Sequence, residues 1–342
     1  MKKILSVLLA ALMLIGMFAV EVSAVPVDIT ADFTDPNFRA AVYQWIGKTA
    51  SEPIYDIDVA DIRYLEVYGK GIKTLAGLEH FKALNQLNCG GNQLTSLPAL
   101  PSSLGELSCG WNQLTSLPAL PSSLFGLYCH DNQLTSLPAL PSSLQEILCS
   151  DNQLTSLPAL PSSLEYLSCW ANQLASLPAL LPSGLKELIC LDNQLTSLPA
   201  LPSSLKRLSC SDNQLTSLPA LPAGLIMLSC GYNQLTSLPA LPSSLKELFC
   251  ENNQLTTIDV TGLSLDRIWC HRNNLPDHSA VIGFTGIWGG NRNIFGPQNS
   301  TTDPEPDPNP EPQPEPPPTP SFFAKIWNFI LKWFLFGWLW MK

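Results

Sequence analysis

A segment with the sequence NQLTSLPALPSSL returns along the chain at a nearly constant interval, and this repetition limits the possible folds more than any other feature. Identical copies begin at Asn92, Asn112, Asn132, Asn152, Asn193 and Asn233, and altered copies begin at Asn172, Asn213 and Asn253. A short fixed period predicts a solenoid, in which each repeat buries its apolar side chains against its neighbours and no single central core exists.

Each repeat, or rung, carries the pattern L-x-x-L-x-C-x-x-N-x-L. In the third rung, its positions are Leu104, Leu107, Cys109, Asn112 and Leu114. Eleven rungs span residues 62–275, and they begin at Ile62, Leu84, Leu104, Leu124, Leu144, Leu164, Leu185, Leu205, Leu225, Leu245 and Leu265. This pattern resembles the leucine-rich repeat family, and the added LPALPSS resembles its short bacterial type of about 20 residues. The resemblance implies a horseshoe-shaped solenoid with a parallel β-sheet on its concave face, and a buried Asn column that bonds to the backbone.

The alternation of residues within L-x-L-x-C predicts which side chains face the core. Successive side chains of a strand point to opposite faces, so Leu107 and Cys109 should point inward while Glu106 and Ser108 point outward. The LPALP segment excludes a helix on the return path, since each proline removes a backbone donor. The convex side should therefore be extended or polyproline-like, with its leucines filling the core.

The first residues have the features of a secretory signal peptide at residues 1–24. Lys2 and Lys3 precede an apolar run from residue 4 to residue 20, and the small residues Val22-Ser23-Ala24 form an expected cleavage site. The alternative is an uncleaved membrane helix. We predict a mature chain that begins at Val25, outside the cytoplasm.

Residues 25–61 lack the repeat and are predicted to cap the open first end of the solenoid. Asp35 suits a helix N-cap, Pro36 suits the first helical position, and Gly47 can end the helix. One apolar stripe is expected at helical spacing, at Phe38, Ala41, Val42 and Trp45. This cap and the longer first rung resemble the internalin-type surface proteins, which are binding proteins.

The C-terminal part divides into three predicted segments. Residues 276–300 lose the period and should cap the far end through Ile282, Phe284, Ile287 and Trp288. An acidic, proline-rich spacer at 301–320 should be extended. The Trp-rich tail at 321–342 is long enough to reach a membrane, either spanning it or lying on it, although Lys332 near its middle disfavours spanning. The alternative for the tail is a docking peptide for export or wall attachment.

All ten cysteines occupy the same repeat position, from Cys89 to Cys270, and the first rung has Val67 there. A position that accepts Val or Cys favours a small apolar side chain, so we predict a buried ladder of free thiols. Side chains that run parallel into the core do not point toward one another, which disfavours disulfides.

The composition and motifs give little support to several functional classes. The net charge of −10 and the lack of a basic stripe disfavour nucleic acid. We predict no metal and no cofactor, because only Cys270, His271 and His278 come near to metal-ligand spacing. We also predict no catalytic site, and we interpret His130 beside Asp131 as a polar surface pair.

Residue variation is concentrated in the outward half of each strand and the two residues after it. Aromatic residues stand out there, and aromatic side chains are enriched at binding hot spots. The predicted ligand-binding residues on the concave face are Trp111, Tyr128, Glu146, Tyr166, Trp170, Glu187, Arg207, Tyr232, Phe249 and Trp269. The alternative is that strands favour such aromatics in general and that the acids keep the solenoid soluble.

These observations favour a secreted, cell-surface leucine-rich repeat protein that binds a protein or peptide partner. One alternative is a structural envelope or matrix protein without a specific ligand. A second alternative is an effector related to the bacterial ubiquitin ligases that carry this repeat. Those ligases have a helical catalytic domain with a nucleophilic cysteine, but no cysteine follows Cys270 in this sequence.

Overall fold

The computed structural model describes residues 25–286, Trp288, residues 293–296 and Gln298. The predicted signal peptide (1–24), the spacer (301–320), the tail (321–342) and Ile287 lie outside the described residues. The division of the chain at these boundaries therefore stays a prediction. Two α-helices are described, α1 (Pro36–Ile46) and α2 (Asp56–Val59), and short 3₁₀ turns lie at Thr30–Asp32, Leu78–His80 and His278–Ala280.

Fourteen short strands are described, and each of the eleven rungs contains at least one of them. They are β1 (Tyr64–Glu66), β2 (Gln86–Asn88), β3 (Glu106–Ser108), β4 (Gly126–Tyr128), β5 (Glu146–Leu148), β6 (Tyr166–Ser168), β7 (Glu187–Ile189), β8 (Arg207–Ser209), β9 (Met227–Ser229), β10 (Glu247–Phe249), β11 (Ile258–Asp259), β12 (Arg267–Trp269), β13 (Val281–Ile282) and β14 (Asn293–Ile294). The eleven predicted rungs correspond to β1–β10 and β12.

The rung strands form one parallel sheet in chain order, as predicted. Its order runs from β1 through β10 to β12 and then β14, and equivalent residues of neighbouring rungs pair directly, as Tyr128 does with Leu148. Strands β11 and β13 form a separate parallel pair near the C-terminal end. The sequence pattern did not predict that pair, because it lies where the repeat is most altered.

The core is a continuous stack of the repeated apolar side chains. Leu104, Leu107, Cys109 and Leu114 of the third rung are fully buried, and the equivalent residues of the other rungs follow them. Between β2 and β10, the return segments contain neither helix nor strand, which agrees with the prediction from LPALP. Each rung therefore contributes one layer of the core, and its neighbours supply the rest of the packing.

The Asn column satisfies backbone groups on both sides of each rung. The Nδ2 of Asn132 donates to the carbonyl of Cys109 in the preceding rung at 3.1 Å and to the carbonyl of Cys129 in its own rung at 3.2 Å. Its Oδ1 accepts from the backbone N–H of Leu114 at 2.9 Å. This confirms the role that the resemblance implied, and it explains why an amide is needed, since it both donates and accepts.

The second serine of the repeated PSS has a similar structural role that the sequence did not reveal. The Oγ of Ser143 lies 2.6 Å from the carbonyl of Leu124 and 2.8 Å from that of Ser122, both in the preceding turn. The return path lacks a hydrogen-bond ladder of its own, so these hydroxyl contacts help to satisfy its backbone.

The N-terminal cap has the predicted helix, with one correction. Asp35 caps α1 by accepting from the backbone of Phe38, and Gly47 ends the helix in the left-handed conformation. Phe38 and Val42 are buried, but Trp45 is 41% exposed and packs edge-on against the Tyr64 ring. The prediction that Trp45 belongs to the buried stripe was wrong. Tyr43, which was not part of the predicted stripe, is buried, and the Tyr43 hydroxyl donates a hydrogen bond to the carbonyl of Glu52.

The far end of the sheet is covered in part by the residues predicted to do so. Phe284 and Trp288 pack against the core, as does Phe295, and the side chain of Gln298 accepts from the backbone N–H of Asn273 at 2.9 Å. Ile282 is 48% exposed, so its predicted role in the cap was wrong. It lies in the short strand β13, where its neighbour Val281 takes the inward position.

Candidate functional site

The outward side of the sheet consists of the first and third residues of each strand and the second and third residues after the strand. We call this surface the sheet face. In the third rung these residues are Glu106, Ser108, Gly110 and Trp111. The repeat places scaffold side chains on the opposite side, so this surface holds the residues that differ between rungs.

The ten predicted binding residues all lie on the sheet face, but in four separate columns. Glu146, Tyr166, Glu187 and Arg207 are first strand residues; Tyr128, Phe249 and Trp269 are third strand residues; Trp170 is the second residue after its strand; Trp111 and Tyr232 are the third. The structure brings together three pairs of them, and it also places Tyr166 between Glu146 and Glu187 on neighbouring strands, where burial and then the charges of both carboxylates raise the pKa of Tyr166.

The first pair is Tyr128 and Glu146 on neighbouring strands. The hydroxyl of Tyr128 donates to Oε2 of Glu146 at 2.7 Å, and the tyrosine ring is half-buried. Burial, and then the charge of Glu146, raise the pKa of Tyr128 well above its usual range. Tyr128 therefore stays protonated and holds one oxygen of Glu146, and the second oxygen remains able to accept from a ligand.

The second pair is Glu187 and Arg207, whose Oε1 and Nε atoms lie 3.5 Å apart. Arg207 is exposed, and its guanidinium also contacts the sulfur of Met227 at 3.8 Å. Burial raises the pKa of Glu187, and the nearby Arg207 opposes that shift. Beyond this pair, the first strand residues are Met227, Glu247 and Arg267, so the regular spacing of acidic side chains on alternate strands ends at Glu187.

The third pair is Phe249 and Trp269, with ring centroids 5.1 Å apart in an edge-to-face arrangement. The indole Nε1 of Trp269 is buried and has no hydrogen-bond partner. Buried polar atoms without partners are concentrated at this end of the described sheet, and they also include Glu251 Oε2, Asn252 Nδ2 and His271 Nδ1. These two rungs therefore retain hydrogen-bonding capacity that the described part of the chain does not use.

Trp111 belongs to an aromatic group that the sequence did not predict. Its ring packs edge-on against His130 of the next rung, with centroids 4.3 Å apart, and against Tyr68 at 6.3 Å. The prediction of a polar surface pair between His130 and Asp131 was incomplete, because the imidazole is half-buried beside Trp111 and its Nδ1 is unpartnered. Burial lowers the pKa of His130, and Asp131 opposes that shift.

Glycine makes this aromatic packing possible. A Cβ at Gly110 would come within 2.7 Å of the His130 ring, and a Cβ at Gly91 would come within 2.9 Å of the Tyr68 ring. A glycine at the outward position lets the side chain of a neighbouring rung lie flat over its backbone. This glycine beside an aromatic rung was the signal in the sequence that could have identified the group.

The third residue after each strand has a left-handed backbone conformation. The value of φ is 52° at Trp111, 50° at Asp131 and 53° at Tyr232, and the remaining rungs have similar values. Asp and Asn tolerate this conformation, whereas a bulky aromatic residue adopts it rarely. Trp111 and Tyr232, exposed by 41% and 47%, therefore combine an unfavourable backbone conformation with an exposed aromatic ring.

Aspartates occupy this position in several rungs and form what we call the aspartate row: Asp131, Asp151, Asp192 and Asp212. Burial raises the pKa of Asp151 to about 6, with further contributions from the charges of Asp131 and Asp192. Burial also raises the pKa of Asp131 and of Asp212. The row therefore concentrates negative charge along one edge of the sheet face.

The ten cysteines are buried and free, which agrees with the predicted thiol ladder. Within the described residues, no group of three or more His, Cys, Asp or Glu side chains is placed to hold a metal ion. Over the same part of the chain, none of the helices has the length and apolarity needed to cross a membrane.

Solved structures of leucine-rich repeat proteins are similar to this chain. YopM of Yersinia pestis, described as a leucine-rich effector protein, is 35% identical with a TM-score of 0.54, over 60% of this chain and 62% of that one. YopM of Yersinia enterocolitica WA-314 is 31% identical with a TM-score of 0.51, over 63% of this chain and 59% of that one. The chain thus covers less than two thirds of either YopM.

A similar solenoid occurs in the octameric complex of Latrophilin 3, Unc5D and FLRT2, in which FLRT2 contributes leucine-rich repeats. That match is 26% identical with a TM-score of 0.52, over 62% of this chain and 76% of that one. No protein-family model matches this chain, and the search of curated proteins gives no match.

Proposed function

We propose that this chain, which is a leucine-rich repeat protein of the bacterial type with repeats of about 20 residues, binds a protein or peptide on its sheet face. The observation that carries the proposal is the distribution of variation between rungs. The buried Leu, Cys and Asn positions are nearly constant, whereas the sheet face changes from rung to rung. A purely structural solenoid has no physical need for this difference.

The exposed part of the sheet face supports the same proposal. Trp111 and Tyr232 present large rings to solvent from a backbone conformation that disfavours them, and Tyr166 and Trp170 are half-buried on one rung. Aromatic side chains of this kind contribute much of the energy of protein interfaces. These rings reach the surface and differ from rung to rung, so we take them as the candidate contacts for a partner.

One of the similar structures supports a protein partner, because FLRT2 is part of a complex with two other proteins. Leucine-rich repeat solenoids of this kind serve in general as interaction scaffolds, and curved sheets offer them an extended binding surface. We extend this use to the chain on the basis of its own sheet face.

We further propose that the protein is secreted and held at the cell surface. The proposed signal peptide at residues 1–24 supports export, and the aromatic tail at 321–342 supports contact with a membrane. To test the tail, cells that express the full chain are fractionated beside cells that express a chain ending at Pro320. We expect the full chain with the membranes and the shortened chain in the soluble fraction, and equal solubility of both would contradict the anchor.

The binding proposal is tested by pull-down with the full chain against envelope and host-surface extracts. The recovered partner is then titrated against three variants: Tyr166→Ala, Trp170→Ala and Thr155→Ala. Truncation of an interface hot spot costs about 2 kcal/mol or more, or roughly thirtyfold in affinity, so we expect this loss in the first two variants.

Thr155→Ala is the matched control, because Thr155 is exposed on the return path and lies away from the sheet face. Its affinity should equal that of the unmodified chain. Circular dichroism checks that all three variants are folded. Equal affinity in the three variants would show that the sheet face is not the binding site, and would favour a structural role without a specific ligand.

A further inference from the structure

Two rows of carboxylates border the central part of the sheet face. One consists of the first residues of alternate strands, Glu106, Glu146 and Glu187, and we call it the glutamate row. The aspartate row runs parallel to it, five residues further along each rung. Five residues of extended chain reach roughly 17 Å, and the turn after each strand shortens this, so the two rows lie less than about 17 Å apart.

The surface between the rows combines large apolar or aromatic residues with serines. It consists of the third strand residues and the second residues after the strands. The large side chains that reach this surface are Tyr128, Leu148, Trp170 and Leu191 together with His130, whereas Ile189 is buried. Ser150 and Ser168 fill the places between them, and their hydroxyls bond to each other at 2.8 Å. This strip is a floor that accepts apolar side chains, with negative charge on both of its long sides.

The negative charge of the two rows is only slightly neutralised by the protein itself. Among the ion pairs of the described residues, Glu187 with Arg207 is the one that involves either row. Within each row the carboxylates repel one another: Glu146 contributes to the raised pKa of Glu106, after burial, and Asp131 and Asp192 do so for Asp151. A cation placed along either row would relieve this repulsion.

We propose that the partner presents to this strip a cationic segment of polypeptide, with basic side chains against the two rows and apolar side chains on the floor between them. This rests on the proposed function and names the chemistry of the partner. Charge complementarity selects this occupant, since an acidic segment would be repelled from both sides. The strip extends from β3 to about β8, because Arg207 follows Glu187 in the first-residue column and the uncharged Tyr232 follows Asp212 in the aspartate row.

The spacing within the rows suggests the pattern of the segment. Neighbouring strands lie about 4.8 Å apart, so glutamates on alternate strands are separated by roughly 10 Å. In a polyproline II helix, which has three residues per turn and a rise of about 3.1 Å per residue, residues three apart lie on the same side and about 9 Å from each other. A segment with a basic residue at every third position and an apolar residue between therefore matches the glutamate row.

The probe is a fluorescent peptide made of four Arg-Leu-Ser triplets, titrated into the full chain by anisotropy. The comparison peptides replace Arg with Glu or Leu with Ser. The face variant is Asp131→Asn with Asp151→Asn, and the matched control is Asp61→Asn with Asp266→Asn, which removes the same charge away from the two rows. Asn is close in size to Asp and tolerates the left-handed conformation, so the face variant is expected to fold.

We expect the Arg-Leu-Ser peptide to bind the full chain and the control variant alike, and the face variant at least about tenfold more weakly. The Glu peptide should not bind, and the Arg-Ser-Ser peptide should bind more weakly than the first. Equal affinity in the face variant, or binding of the Glu peptide, would overturn the proposal. The same titration is made with a chain that ends at Pro320. If the Arg-Leu-Ser peptide binds this shortened chain but not the full chain, the Lys-containing tail of the protein itself occupies the strip, and the proposal of a separate partner is overturned.

This outcome is distinguishable from failure of the proposed function. If a protein recovered by pull-down depends on Tyr166 and Trp170 but not on Asp131 and Asp151, the sheet face binds a partner that is not cationic. In that case the proposed function stands and the cationic segment is excluded.

Discussion

The side-chain amide of Asn152 donates a hydrogen bond to the backbone carbonyl of Cys129, one rung back, at 3.0 Å. The same Nδ2 lies 3.1 Å from the carbonyl of Cys149 in its own rung, and Oδ1 accepts from the backbone N–H of Leu134 at 2.9 Å. A single buried side chain thus joins two rungs where the chain leaves the strand. The stability of the solenoid should depend strongly on this position.

Replacement of Asn152 with Ala leaves several buried backbone groups without partners. Each such group costs about 1–3 kcal/mol, so we expect the free energy of unfolding to fall by about 3 kcal/mol. Urea denaturation followed by circular dichroism measures this change. Gln153→Ala is the control, because the Gln153 side chain is exposed, and it should change stability by less than about 0.5 kcal/mol. A similar loss in both variants would show that the Asn column does not have this role.

The ten cysteine thiols should be unreactive in the folded protein. Burial raises the pKa of Cys149 and of Cys190 to about 12, and the thiolate is the form that reacts. Alkylation near neutral pH, followed by mass spectrometry, should label almost none of the thiols in the native chain and ten after unfolding. Several cysteines that resist labelling in denaturant until a reductant is added would reveal disulfides and contradict the thiol ladder.

Ala171 lies in the left-handed conformation with φ of 51°, at the position where five other rungs have Asp or Asn. This conformation costs a residue with a Cβ about 1–2 kcal/mol, and the greater freedom of glycine in the unfolded chain offsets part of that. We expect Ala171→Gly to raise the free energy of unfolding by about 0.5 kcal/mol and Ala171→Val to lower it by more than about 1 kcal/mol. Thermal unfolding measures both, and a more stable Val variant would contradict the assigned conformation.

Asp151 should make the folded protein less stable at neutral pH than at mildly acidic pH. Its pKa is raised to about 6 in the folded chain, so the penalty for its charge is fully present above that value. The penalty disappears as the pH falls through about 6 toward the unfolded value of about 4. We expect Asp151→Asn to be more stable than the unmodified chain at about pH 7.5 and equal to it at about pH 4, as measured by urea denaturation.

Asp35 should have the opposite effect on stability to Asp151. Burial alone would raise its pKa, but the backbone N–H groups of Phe38, Lys73, Thr74 and Asn37 together hold the pKa below its usual value. The stabilisation of the folded chain by the Asp35 carboxylate is therefore present at neutral pH. It is lost as the pH falls through the pKa that Asp35 has in the folded chain. Asp35→Asn should lower the free energy of unfolding at about pH 7.5, whereas Asp151→Asn should raise it. If both variants change the free energy of unfolding in the same direction at that pH, local contacts do not decide whether a buried carboxylate stabilises the folded chain.

The sequence by itself determined the solenoid, its rungs and the inward residues. The alternation around Leu107 and Cys109 is local, because a strand places successive side chains on opposite faces whatever surrounds it. The cap helix could be predicted for the same reason, since Asp35, Pro36 and Gly47 act on the adjacent backbone. The location of the variable residues on one face follows from this periodicity as well.

The tertiary structure decided which of the outward residues meet. His130 packs on Trp111 because Gly110 leaves room above its backbone and because the rungs pair in direct register, and neither condition can be read from one rung alone. On α1, the structure buries Tyr43 and leaves Trp45 41% exposed, which the helical spacing of the apolar residues did not distinguish. The two carboxylate rows likewise arise because residues about 20 or 40 apart in sequence stack on one another. Contacts between rungs depend on the register of the strands and on the conformation of the turns, which only the tertiary structure shows. Whether a residue points inward or outward depends on local strand geometry alone.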